Sequence, residues 1–283
     1  MNIPSYWAKE VQPVVRPSGR PFLAQKWGWS NSSGDDARRQ AHAGLQAILR
    51  KLAAGAKPDR YGYGERPLRE EIIQKVTDHR DEQVAVITRN GYGALVLNTA
   101  WVMFVDIDFP DEGSGGLGGA LGKLFGRKAV SPEEETLAFL RQWAAAQPGW
   151  GMHVYRTKAG LRCLVTHDLF DPADSRATEI LRSLRSDPLY VTLCKQQASF
   201  RARLTPKPWR CGFAVPPSRY PWNDRGEQLR YREWEQAYGQ VSSRFTTCRL
   251  VAAIGSDQEH HQAAIVRELH DRFACVNDDF NLA

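Results

Sequence analysis

Two aspartates stand two positions apart in an otherwise apolar run, Phe104-Val105-Asp106-Ile107-Asp108-Phe109. On a strand, that spacing turns both carboxylates to one face of the sheet. The neighbours Val102, Met103, Phe104, Val105, Ile107 and Phe109 mark the strand as interior, and its unbroken apolar character marks it as central. Two like charges side by side in an interior are costly unless a cation neutralises them. A hard divalent ion with oxygen ligands, Mg²⁺ or Mn²⁺, meets that need, and makes Asp106 and Asp108 the candidate metal ligands and catalytic acids. The alternative is that each aspartate caps a helix or pairs with an arginine.

Three further stretches could serve such a site. The segment Trp150 to His167 reads as a hairpin carrying His153, Arg156, Lys158, Arg162 and His167. Beside the aspartate strand, its basic groups would face triphosphate oxygens. Downstream, Phe200-Arg-Ala-Arg-Leu-Thr-Pro-Lys-Pro-Trp-Arg210 places Arg201 and Arg203 on one strand face, with Lys207 and Arg210 in a proline-stiffened turn. That pattern suits a phosphate-binding face, and equally a solvated edge that deters aggregation. Gly113-Ser-Gly-Gly-Leu-Gly118 matches G-x-G-x-x-G, but Asp111 and Glu112 precede it and would repel a pyrophosphate, so it reads as a surface loop. Glu268, His260, His261 and His270 fall on the last helix, where adjacent histidines point about 100° apart and make no metal site.

The elements that must hold these residues follow from periodicity and punctuation. Residues 1–33 read as irregular. Asp35 is placed as the N-cap of a helix to about Ala54, with Ala41, Leu45, Ile48, Leu49 and Leu52 at helical spacing. Pro67 opens a second predicted helix bearing Leu68, Ile72, Ile73 and Val76. Strands are expected at Val84 to Thr88 and Tyr92 to Leu97, joined by the turn signal Asn90-Gly91, and at Trp101 to Phe109. Ser131 with Glu134 forms a capping box. A hairpin of Met152 to Thr157 and Leu161 to His167 turns at Lys158-Ala159-Gly160. Helices follow at 173–185 and 188–195, a strand at Phe200 to Thr205, and helices at Glu227 to Tyr238 and Gln258 to Phe273. The class is α+β, with a mainly antiparallel sheet core between helical flanks. The expected divisions are a helical region 1–80, a core 81–215 and a helical region 216–283, all three compatible with one domain.

Composition narrows the setting. With 38 Lys+Arg against 32 Asp+Glu, the formal charge of +6 is compatible with a polyanionic partner without demanding one. Trp143, Trp209, Trp222 and Trp234 sit among arginines, an arrangement that can stack bases. No apolar run approaches the about 18 residues that span a bilayer, and the start lacks the pattern of a secretory signal, so a cytoplasmic protein without membrane attachment is expected. Cys163, Cys194, Cys211, Cys248 and Cys275 include no C-x-x-C pair. That argues against a zinc ribbon and a disulfide framework, and for reduced thiols.

The order of these elements resembles the catalytic core of archaeo-eukaryotic primases and primase-polymerases, over about residues 83–210. The run ending Phe104-Val-Asp-Ile-Asp108 is similar to that family's first motif, whose two acids bind metal; the resemblance assigns that role to Asp106 and Asp108. The second motif supplies a histidine that contacts the incoming nucleotide, and it can be placed in two ways, one of which departs from the family by putting an arginine there. By residue string, Gly149-Trp-Gly-Met-His-Val-Tyr155 puts His153 there; by topology, the Lys158-Ala-Gly160 turn puts Arg162 there. For the third motif, Asp187 is a candidate acid, and Arg201, Arg203 and Lys207 are candidate phosphate contacts. The resemblance implies a metal-dependent nucleotidyltransferase acting on nucleoside triphosphate and nucleic acid. Two other readings stand beside it: an inactive primase-like module that binds nucleic acid or protein, and a glycosyltransferase that uses D-x-D to hold Mn²⁺ against a nucleotide sugar.

Overall fold

The computed structural model describes residues 1, 3–15, 19–55, 67–110, 130–275, 277 and 279–283. The glycine-rich stretch 113–122 and the break at 58–64 lie outside the described residues.

Among the described residues, two four-stranded antiparallel sheets form the core. The first has the order β3 (Glu71–Thr77), β4 (Gln83–Arg89), β5 (Leu95–Thr99), β9 (Phe200–Arg203). The second has the order β11 (Cys248–Gly255), β7 (Gly151–Thr157), β8 (Gly160–Val165), β6 (Phe104–Asp108), and the short β10 (Phe245–Thr246) pairs in parallel with β12 (Asn281–Leu282). The fold is α+β, as expected. One apolar core runs through both sheets, from Val84 to Ala274, and strand pairing crosses both expected divisions: β3 pairs with β4, and β11 pairs with β7.

Local chemistry explains most of the elements. Helix α1 (Gly34–Ala53) begins at Ser33, whose hydroxyl accepts from the Asp36 amide at 3.1 Å, with Asp35 and Asp36 in the first turn and Arg50 and Lys51 in the last. The cap is therefore Ser33, with Asp35 already inside the helix. Helix α2 (Pro132–Ala145) carries the capping box of Ser131 and Glu134. Asn90 closes the β4–β5 turn with its side chain, accepting from the Tyr92 and Ala94 amides at 3.2 and 3.1 Å. Helices α3 (Ser175–Ser183), α4 (Pro188–Gln197), α5 (Arg225–Ser242) and α6 (His261–Ala274) fall where the periodicity predicts them.

Three expectations are corrected. Residues 1–33 contain a long hairpin, β1 (Tyr6–Val15) with β2 (Pro21–Ser30), in register from Tyr6↔Ser30 to Val15↔Pro21 and packed on α1. The stretch after Pro67 is strand β3; its β-branched Ile72, Ile73 and Val76 favour the pleat, and two register shifts against β4 scramble the alternation that would have revealed it. The aspartate strand β6 is terminal in its sheet, although Phe104, Val105 and Ile107 are buried.

What buries β6 is the other sheet. The Tyr190 hydroxyl lies 3.2 Å from the Phe104 carbonyl and 3.1 Å from that of Arg201, and accepts the Arg201 amide at 3.2 Å. One phenol thus joins β6 to β9 across the seam between the sheets. On its other side β6 approaches β8 so closely that a Cβ at Gly160 would stand 1.8 Å from the Ile107 carbonyl oxygen. Gly160→Ala is therefore expected to cost about 1–3 kcal/mol by forcing the strands apart beside Asp108. Urea unfolding checks this, and a loss below about 0.5 kcal/mol, the level of a neutral surface change, contradicts it.

Candidate active site at the seam of the two sheets

Asp106 lies opposite Arg162 in the β6–β8 register, and Asp108 lies opposite Gly160. Directly opposed residues share a face, so Asp106, Asp108 and Arg162 look the same way. Asp106 is half-buried, Asp108 is exposed, and Arg162 is buried. The entry to α4 is fastened to the same strand. The Asp187 amide donates to the Asp106 carbonyl at 2.8 Å, the Ser186 hydroxyl donates to it at 3.0 Å, and the Asp106 amide donates to the Ser186 hydroxyl at 3.3 Å. Asp187 caps α4, accepting the Tyr190 amide at 2.7 Å.

The resulting electrostatics are lopsided on both rims. Although Asp108 is exposed as a residue, partial desolvation of its carboxyl, then the charges of Asp106 and Asp187, raise it above its usual range, against the pull of Lys207 and Arg210. Opposite, burial, then Arg203 and Arg210, push the Lys207 ammonium below its usual range, while Asp108 and Asp106 pull it back. Arg210 is lowered by burial and then by Arg203. Anionic groups crowd one rim and cationic groups the other. Asp106 and Arg203 also line one cavity of about 360 Å³, whose walls include Arg162, Arg201, Tyr92 and Tyr190.

A cation at the acidic rim would offset the repulsion by Asp106 and Asp187 that adds to desolvation in raising Asp108. Asp187 does not complete a tight triad. Among the described residues, the one group of three ligand atoms within 4.8 Å of one another is Cys248, His270 and Cys275. Two carboxylates suffice for Mg²⁺, which keeps several waters and takes further oxygens from a substrate phosphate.

The basic residues divide. Arg162 and Arg203 belong together, since Arg162 Nη1 donates to the Arg203 carbonyl at 2.9 Å. Arg203 forms no ion pair among the described residues. Arg201 lines the cavity, but its guanidinium grips both oxygens of buried Glu70 at 2.7 and 2.8 Å, so its charge is already answered. Arg156 turns to the other face of the sheet, opposite Leu161, where it pairs with Glu133 at 3.1 Å and covers the Phe109 ring. The expectation that Arg156 and Arg162 face one site fails on strand parity. Lys158 is exposed at the tip of the β7–β8 turn.

His153 sits one row away from the Asp106–Arg162 row, in register with Leu164. It lines a separate cavity of about 100 Å³ with Ser256, Asp257 and Glu259, and burial, then Arg267, lowers its basicity. Of the two placements of the second motif, Arg162 is the one beside Asp106.

Residues that sequence reasoning passed over are Glu70, Ser186 and Tyr190. Ser186 and Tyr190 flank the named Asp187, and only the fold shows that this segment meets β6.

The site therefore belongs to an α+β protein in which Asp106 of one antiparallel sheet and Arg203 of the other line one cavity. Comparison of the chain with protein-family models, with curated proteins and with solved structures gives no match. No helix among the described residues is long and apolar enough to cross a membrane.

Proposed function

We propose that this protein is a metal-dependent nucleotidyltransferase of the primase-polymerase type, acting on nucleoside triphosphate and nucleic acid in the cytoplasm. The observation that carries the reading is that Asp106, in register with Arg162 and on the same strand face as Asp108, lines one cavity together with Arg162 and Arg203. Asp106 and Asp108 hold Mg²⁺ or Mn²⁺, whose chemistry in such a site is to screen the phosphate charge and favour attack by a hydroxyl. Arg203, Lys207 and Arg210 bind triphosphate oxygens, which removes the crowding of like charges on their rim. Arg162 holds the Arg203 backbone and lines the cavity, so it positions the basic strand against Asp106.

A groove of about 360 Å³ lined by Trp7, Trp27, Trp29, Lys26 and Arg69 supports a nucleic-acid partner. The Arg69 guanidinium stands 4.6 Å from the Trp27 ring centre, and such cation–aromatic surfaces stack single-stranded bases.

Calorimetric titration of Mn²⁺ with and without a nucleoside triphosphate, followed by primer extension, tests the proposal. Nucleotide is expected to tighten metal binding. Metal affinity is expected to rise with pH through the raised Asp108 range, because the proton competes for the same carboxylate. In the metal-free protein the sign of the stability effect is opposite: ionised Asp108 is penalised by burial and its neighbours, so its favourable contribution is present at low pH and lost as pH rises. Asp108→Asn should remove that part of the pH dependence. An affinity indifferent to pH across the window removes Asp108 from the ligand set.

One observation favours a second reading, an inactive nucleic-acid-binding module: the residue beside Asp106 is Arg162, while His153 faces α6. Nucleic-acid binding with a steep salt dependence, unaltered by metal, would decide for it.

A further inference from the structure

Behind the seam, Cys248 at the start of β11, His270 within α6 and Cys275 at the end of α6 bring two thiols and an imidazole together. The sulfurs of Cys248 and Cys275 are 3.5 Å apart, and Cys248 Sγ is 3.7 Å from His270 Nε2. All three ligand atoms lie within 4.8 Å of one another. Tetrahedral zinc, with bonds of about 2.3 Å to sulfur and about 2.0–2.1 Å to nitrogen, needs separations of about 3.8 Å between sulfurs and about 3.6 Å between sulfur and nitrogen. Two of the distances thus stand within a few tenths of an ångström of what the ion requires.

The surroundings select the ligand atom. His270 Nδ1 faces Asp271 Oδ1 at 3.0 Å, which assigns the Nδ1 proton to that hydrogen bond and aims the Nε2 lone pair at the thiols. A carboxylate behind a histidine ligand is the usual outer support of a zinc site. Arg162 Nη1 approaches Nε2 at 3.3 Å, and it has the Arg203 carbonyl at 2.9 Å to keep when a metal takes that lone pair. The charges also close: a divalent ion balances two thiolates, while Asp271 has Arg267 at 3.9 Å as its counter-charge. Cys248 and His270 are fully buried and Cys275 is half-buried, so the fourth position opens toward Cys275 and a solvent oxygen.

We propose that Cys248, His270 and Cys275 bind one Zn²⁺ that clasps the start of β11 to the end of α6. Soft thiolate ligands favour zinc over the hard ions suited to Asp106 and Asp108, so the two sites would not compete for one metal.

The test is elemental analysis of the full-length protein purified without chelator, with thiol counting, and Co²⁺ titration of the metal-free form. The expected result is one zinc per chain and, with Co²⁺, d–d absorption together with thiolate-to-cobalt charge transfer. Cys275→Ser, at the half-buried ligand, should lower zinc affinity at least tenfold and weaken the charge-transfer band while the far-ultraviolet circular dichroism persists. His270→Gln should shift the cobalt spectrum. Asp106→Asn should retain the zinc. A folded wild type that carries no zinc and takes up no Co²⁺ overturns the proposal. So does a Cys248–Cys275 disulfide found by mass spectrometry in protein kept under reducing conditions, or bound zinc that Cys275→Ser and His270→Gln leave untouched.

Discussion

The double variant Asp106→Ala/Asp108→Ala is expected to fold and to lose nucleotide-enhanced metal binding entirely. Nucleotidyl transfer should fall by at least about 100- to 1000-fold, the usual consequence of removing charge stabilisation from a reacting phosphate. The fold should survive because the structural ties of this strand run through backbone. It is the Asp106 carbonyl that receives the Asp187 amide and the Ser186 hydroxyl, and the Asp106 amide that donates to Ser186. In the metal-free protein the repulsion and desolvation borne by these side chains are set against their attraction to Lys207 and Arg210, so thermal unfolding should change little. Primer extension with Mn²⁺, beside calorimetry and circular dichroism, checks this. Activity within about tenfold of wild type would remove both acids from the chemistry.

The largest expected loss of stability comes from Glu70→Ala. Glu70 is buried, holds both arms of its contact with Arg201, and accepts the Thr88 hydroxyl at 2.5 Å. Thr88 in turn accepts from the Asn98 amide group at 2.9 Å, so the carboxylate anchors a polar chain across β4, β5 and β9. Its removal leaves a guanidinium in the wall of the cavity without its counter-charge, a change that costs about 3–5 kcal/mol. At this chain length the melting temperature should fall by roughly 10 °C. Glu70→Gln, which keeps the shape and part of the hydrogen bonding, should lie between the two. A loss under about 1 kcal/mol would mean that water screens the pair as it does at a surface.

Much of this arrangement was legible in the sequence where the signal is local. The capping box at Ser131, the Asn90 turn, the hairpin about Lys158 to Gly160 and the D-x-D strand each announce themselves within a few residues. Where the signal is relational, the sequence was mute or misleading. The β1–β2 hairpin is half-exposed along both faces, so its polar and aromatic residues give no clean alternation. Strand β11 carries a bulge between Leu250 and Ala252 and was passed over. The apolar run of β6 reports burial, not its place in a sheet: a second sheet and the α4 entry cover a terminal strand. His153 and Arg156 stand close to Arg162 in the chain, but sheet row separates the first from it and strand parity the second. The thiols of Cys248 and Cys275 lie far from any C-x-x-C spacing, and they meet only because α6 returns against β11.

The Tyr190 hydroxyl has a consequence for how the site can change. It touches Phe104 on one strand and Arg201 on the other, and each of those stands two residues before a charged member of the site, Asp106 and Arg203. Both charges are therefore one pleat, about 7 Å, along from the same anchor. The phenol acts as a gauge block that sets the anionic jaw against the cationic one. Sliding either strand by a single residue would unseat the hydroxyl and, in the same step, turn the charge on that strand away from the cavity. The width of the jaws is thus written into a pair of backbone carbonyls, and a change of substrate size would have to come from the loops above the gap.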